Sequence, residues 1–157
     1  MMKFINLAIA AVLSLSVAQA DDHNSYFAVG YKMMELDDVD VTGTQLTIGT
    51  QVAENTLVEL NLVTFADFEI IDITSTDVSL LYYPMGNGVF GRLGYSEGDI
   101  SAFGDSVDDG TVIYGVGYDI PVGERGALRF EYTSAEYSAD GDDLDVDGFT
   151  ISAGVRF

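Results

Sequence analysis

Apolar residues alternate with polar or small ones through most of the chain between turn signals. That period of two is what a β-strand imposes by pointing successive side chains to opposite faces. The last segment is the cleanest: Phe149, Ile151, Ala153, Val155 and Phe157 share one face, and Thr150, Ser152, Gly154 and Arg156 the other. Before it, Leu128, Phe130 and Tyr132 oppose Arg129, Glu131 and Thr133, while Val112, Tyr114, Val116 and Tyr118 oppose Thr111, Gly115 and Gly117. The same alternation runs through residues 89–96, 77–82, 58–62, 45–49 and 27–33. About eight strands result, each near the roughly 9–11 residues that cross a bilayer at a tilt.

Alternation alone fits a soluble barrel as well, so the polar face has to decide which side meets water. That face is rich in Gly, Ser and Thr and carries Lys32, Glu59, Asp77, Arg92, Arg129, Glu131 and Arg156. Cations are scarce elsewhere in this chain, and their gathering with a few carboxylates is odd for a solvated surface. Confined in a narrow barrel they can pair, whereas unpaired charges there are costly. The apolar face is therefore expected to meet lipid. Leu81, Tyr83, Phe90 and Ile113 break the pattern by facing inward, which predicts a lumen partly filled with apolar groups. The expected fold is all-β, a closed antiparallel up-and-down transmembrane β-barrel with every strand edge paired.

The N-terminus bears on where such a barrel resides. Lys3 precedes an apolar run from Leu7 to Val17, and Ala18-Gln19-Ala20 follows as a small-residue cleavage pattern. This reads as a signal peptide over residues 1–20, removed to leave a barrel domain over residues 21–157. The run is short for a spanning helix, and Asp21-Asp22-His23 follows at once. Removing Lys3 leaves 5 of the 6 Lys and Arg against all 26 acids, a net charge of −21. Nucleic acid is a poor partner for that charge. The 48% hydrophobic content argues against a disordered acidic chain, and with no cysteine no disulfide braces the fold.

The acids are also unevenly placed. Residues 53–56, 84–88 and 121–126 read as compact turns and hold only Glu54 and Glu124. Four connections near residues 35–40, 67–72, 99–109 and 140–147 hold most of the carboxylates. Short periplasmic turns and longer external loops are the habit of bacterial outer-membrane barrels. The acidic end is expected outside and both termini in the periplasm.

The Gly- and Tyr-rich strands, the meander of eight, and the terminal Gly154-Val155-Arg156-Phe157 resemble the small outer-membrane barrels that include OmpX and the OmpA membrane domain. The resemblance spans the mature chain. It implies a Gram-negative outer-membrane location among lipid and lipopolysaccharide, and assembly by the outer-membrane machinery with Phe157 as part of the signal. Members of this size include structural barrels, adhesins and a few lipid-modifying enzymes. The last resemble one another in using a His beside a Ser or carboxylate, and the lone His23 precedes the first strand, so no enzyme is expected.

Two metal-binding patterns remain. Cleavage after Ala20 would expose Asp21-Asp22-His23, whose amine, two backbone nitrogens and imidazole suit a square-planar Cu(II) or Ni(II) ion. Asp143-Leu144-Asp145-Val146-Asp147-Gly148 matches the opening of a calcium loop, but its twelfth position is Gly154 and no helices flank it. An acidic strand extension is the favoured reading of that pattern, with Asp140, Asp142, Asp108 and Asp109 expected to gather divalent cations loosely, so that the candidate metal ligands are Asp140, Asp142, Asp143, Asp145, Asp147 and His23. No other cofactor is expected, and the barrel is expected to be monomeric. The function expected is structural or surface-interacting. A narrow cation-preferring pore is the alternative, and an adhesin or receptor the second. Within the lumen, Lys32, Arg92, Arg129 and Arg156 are expected to pair chiefly with Glu59, Glu131 and Asp77.

Overall fold

The computed structural model describes residues 25–36, 39–66, 71–86, 88–102, 105–139 and 142–157. The signal-peptide segment, His23 and Asp140 lie outside them. Eight strands follow in chain order: β1 (Ser25–Leu36), β2 (Val39–Ala53), β3 (Thr56–Ala66), β4 (Ile71–Tyr82), β5 (Val89–Ala102), β6 (Asp105–Val122), β7 (Gly126–Ala139) and β8 (Asp142–Arg156). Each pairs antiparallel with its sequence neighbour, and β8 returns to β1 to close the barrel. Closure gives the backbone groups of the outermost strands partners on both sides, which a hydrocarbon solvent demands. At the seam, Tyr26 stands opposite Arg156, and Phe157 N donates to Ser25 O at 2.8 Å.

The faces separate as the alternation requires. Phe27, Val29, Tyr31 and Met33 on β1, Leu93 and Tyr95 on β5, and Tyr114, Val116 and Tyr118 on β6 are all exposed on the outer wall. Between them in sequence, Lys32, Arg92 and Ser96 are buried. An outer surface this apolar is unsuited to water and suited to lipid. Leu81, Tyr83, Phe90 and Ile113 are buried, matching their inward parity.

Three tight turns close one end, here the turn end. In the β6–β7 turn, Gly123 adopts φ +66°, a left-handed conformation that β-branched residues avoid. The opposite, acidic end differs from the expected long loops. The strands run straight through most of the acid-rich segments: Glu35 pairs with Asp40, Asp99 with Asp108, and Ala139 with Asp142. β6 alone has 18 residues, well beyond a bilayer crossing. Asp and Gly disfavour strands only weakly, and continuing an established hairpin ladder outweighs that preference.

Candidate functional site

The lumen is built from the inward positions of each strand. Glu59 on β3, Arg92 on β5, Asp119 on β6, and Arg129 and Glu131 on β7 converge in its turn-side half, every one buried. Arg92 Nη2 donates to Glu59 Oε2 at 2.5 Å and to Glu131 Oε2 at 2.8 Å, and its Nη1 donates to Ser79 Oγ at 3.1 Å. Arg129 Nη1 pairs with the other oxygen of Glu59. The second face of the Arg129 fork grips Asp119, Nε to Oδ1 at 2.7 Å and Nη2 to Oδ2 at 3.0 Å. Glu59 is thus shared by two guanidinium groups, and the chain of contacts reads Glu131, Arg92, Glu59, Arg129, Asp119.

Tyrosines finish this cluster. Tyr83 Oη donates to Asp119 Oδ2 at 2.7 Å and accepts from Arg129 Nη2 at 3.0 Å, while Tyr26 Oη accepts from Arg129 Nη1 at 3.1 Å. The Arg129 guanidinium lies over the Phe90 ring at 4.7 Å and the Tyr26 ring at 5.3 Å, so its faces are covered as well as its edges. Inward glycines make the room. A Cβ on Gly117 would meet Phe90 Cζ at 2.2 Å, and one on Gly49 would meet Tyr26 Cε1 at 2.3 Å. Leu81, Tyr83 and Phe90 pack with Leu57 beside the ion cluster, and Val63 and Phe65 pack with Met34 and Val41 farther toward the acidic end. A vestibule of about 330 Å³ opens at the turn end and stops at Tyr26, Tyr83 and Asp119.

The expected charge network is therefore brought together in part. Glu59, Arg92, Arg129 and Glu131 meet. Arg156 has the same inward parity but is exposed at the turn end, where it lines the vestibule; it forms no ion pair among the described residues. The antiparallel register explains this, since Ser152 and Thr150, not Arg156, stand opposite Arg129 and Glu131. Lys32 and Asp77 are buried nearer the acidic end. Lys32 pairs with no described carboxylate, and Asp77 accepts from Ser96 Oγ at 2.5 Å. Asp119 takes the place in the network expected for Asp77. Its signal was present: the inward series Thr111, Gly115, Gly117 continues by parity to 119, directly opposite Arg129.

At the acidic end, residues 143–148 belong to β8 and form no calcium loop. Alternate residues of a strand stand about 6.5–7 Å apart, too widely spread for three successive carboxylates to close on one ion. Gly148 does not supply a left-handed turn; it makes room for Lys32, whose Cε would lie 3.1 Å from an added Cβ. Asp145 and Asp147 are exposed, and no group of three or more metal-ligating side chains occurs among the described residues. The ladder nevertheless aligns acids across strands: Asp40 opposite Glu35, Glu35 opposite Asp147, and Glu136 opposite Asp145.

The family model described as "Outer membrane protein beta-barrel domain" matches residues 7–157. No curated protein sequence matches the chain. Among solved structures, Neisserial surface protein A is similar at TM-score 0.58 and 10% identity, over 85% of this chain and 96% of that one. The N-terminal β-barrel domain of Pseudomonas aeruginosa OprF gives 0.57 and 14%, over 83% and 97%. Ail, the attachment invasion locus protein of Yersinia pestis, gives 0.53 and 19%, over 85% and 97%. At these identities the likeness is one of fold.

Proposed function

The chain belongs to the outer membrane protein beta-barrel domain family, and on that premise we propose that it works through its membrane-embedded wall and acidic outer end, not as a conduit. The observation that carries this reading is the filled lumen. An eight-stranded barrel has an interior just wide enough for side chains, and here Glu59, Arg92, Arg129, Leu81 and Phe90 occupy it. Proteoliposomes carrying the folded protein should swell in small sugars no faster than empty ones; rapid swelling would favour the pore.

In this reading the turn end and both termini face the periplasm, and the acidic hairpin extensions stand outside. The aligned row Asp40, Glu35, Asp147 places like charges directly across from one another, an arrangement that repels unless ions intervene. Divalent cations held between this rim and the phosphates of lipopolysaccharide relieve both repulsions at once. The association is loose and collective, with no chelating loop. Lipopolysaccharide vesicles should bind the folded barrel more strongly with Mg²⁺ than with chelator, and neutralising those three carboxylates should erase the difference. Binding that ignores both changes contradicts the proposal. Phe157 serves assembly, so deleting it should slow folding by the outer-membrane machinery while an exposed acid such as Asp145 is dispensable.

A further inference from the structure

The vestibule at the turn end has a base and a charged lip of opposite character. At the base, Tyr26, Tyr83 and Asp119 are buried and already engaged: Asp119 accepts from Arg129 and Tyr83, and Tyr26 Oη accepts from Arg129. With Leu57 beside them, they offer a ligand aromatic and aliphatic surface. The lip carries Glu54, Glu124, Arg125 and Arg156, all exposed, and none forms an ion pair among the described residues. These charges are placed asymmetrically. Glu54 lies in the β2–β3 turn, where Gln51 Nε2 donates to the Ala53 and Glu54 carbonyl oxygens at 3.0 and 2.7 Å. Arg125 lies in the β6–β7 turn, halfway round the closed ring of eight strands from Glu54, and Arg156 N donates to Arg125 O at 2.8 Å. Glu124 adjoins Arg125, so two arginines against one glutamate leave one side of the mouth positive, and Glu54 makes the opposite side negative. Lys32, Arg92 and Arg129 are buried, so Arg125 and Arg156 are the exposed cations of residues 21–157.

We propose that the vestibule binds a short zwitterionic peptide, with its carboxylate toward Arg125 and Arg156, its ammonium toward Glu54, and an apolar side chain on Tyr26, Leu57 and Tyr83. The charge pattern selects a zwitterion. A ligand that is only anionic meets Glu54, Glu124 and the Asp119 base, and one that is only cationic meets the two arginines. The planar guanidinium fork suits a carboxylate. Size sets the length: about 330 Å³ lies at the small end of ligand pockets, which run roughly 300–1,000 Å³, so a dipeptide fits and a folded partner does not. Gly86 and Gly88, both at positive φ, line the mouth without placing a side chain over it. The arginine cluster closes the base, so the ligand enters and leaves by the same opening and the site is compatible with a barrel that conducts nothing. The orientation proposed above puts this opening in the periplasm; the binding itself does not depend on it.

The test is an NMR titration of the full mature protein, folded in lipid nanodiscs, with alanylphenylalanine as the probe. Saturable shifts are expected at Tyr26, Leu57, Tyr83 and Arg156. Capping the peptide's carboxylate as an amide, or substituting Arg156→Gln, should weaken binding about tenfold, the scale of one charge-assisted hydrogen bond. Acetylating its amine should weaken binding about threefold in the wild type, as for an exposed ion pair, and not at all in Glu54→Gln. Arg156 and Glu54 lie outside the buried cluster, so both variants should keep heat-modifiable migration. Absence of any saturable shift in the wild type would overturn the proposal. Equal affinity for the peptide and its amide would show adsorption of the aromatic ring alone and equally overturn it. An acetylated peptide that binds the wild type as tightly as the free one would assign the site to peptide C-termini and overturn the zwitterion. These wild-type titrations decide even where a variant fails to fold.

Discussion

In the turn-side half of the lumen, two arginines share three carboxylates, and every oxygen of Asp119 and Glu59 meets a guanidinium. In the other half, one lysine and one aspartate line the same space without touching. Burial is similar in both places, so burial alone does not decide whether charges pair. The side-chain chemistry does. A guanidinium presents a planar fork that spans two acceptors at once, which lets Arg92 bridge Glu59 to Glu131 and Arg129 bridge Glu59 to Asp119. An ammonium is a compact, strongly hydrated point charge, and Lys32 lines a small cavity without reaching a described carboxylate.

The largest effect should follow from breaking the shared centre. Glu59→Gln leaves two buried guanidinium groups under-compensated, and loss of a partner from such a pair costs about 3–5 kcal/mol. The urea midpoint of unfolding in detergent or lipid should fall accordingly; a change as small as that of a rim acid would mean that Glu59 does not organise the lumen. Asp119→Asn should cost less, about 1.5–3 kcal/mol, because Arg129 keeps Glu59 and the amide still accepts from Tyr83. If the two substitutions prove equal, Glu59 is not the hub. Asp145→Asn should be the smallest and of opposite sign. It relieves the like-charge pair with Glu136 and should stabilise by about 0.2–1 kcal/mol at low salt, less as salt rises. Destabilisation there would point to a specific acidic site in place of a repulsive rim.

How much of this was legible beforehand depends on what the chain encodes locally. Parity along a strand assigns a side chain to lipid or lumen, and Lys32, Glu59, Asp77, Arg92, Arg129 and Glu131 are buried on the side it predicts. Parity is silent about height. Arg156 shares the inward face with Ser152 yet stands at the open turn end, because inter-strand stagger, set by pairing around the whole barrel, decides who meets whom. Asp119 was reachable from sequence by extending its strand two residues past Gly117, toward a segment whose Pro121 and Gly123 look like turn. The acidic segments misled in the other direction. Their Asp and Gly content suggests loops, but a hairpin already in register extends at little cost, and residues 98–102 with 105–109 remain paired.

In the proposed function, buried Arg92, Arg129 and their carboxylates, beside Leu81 and Phe90, close the barrel to ions. Current across a planar bilayer containing the purified, folded wild-type protein tests this most directly. The prediction is no stable conducting state at neutral pH, whatever the salt. Steady cation-selective steps that shrink when the acids Asp145 and Asp147 are neutralised would contradict it and establish the barrel as a pore.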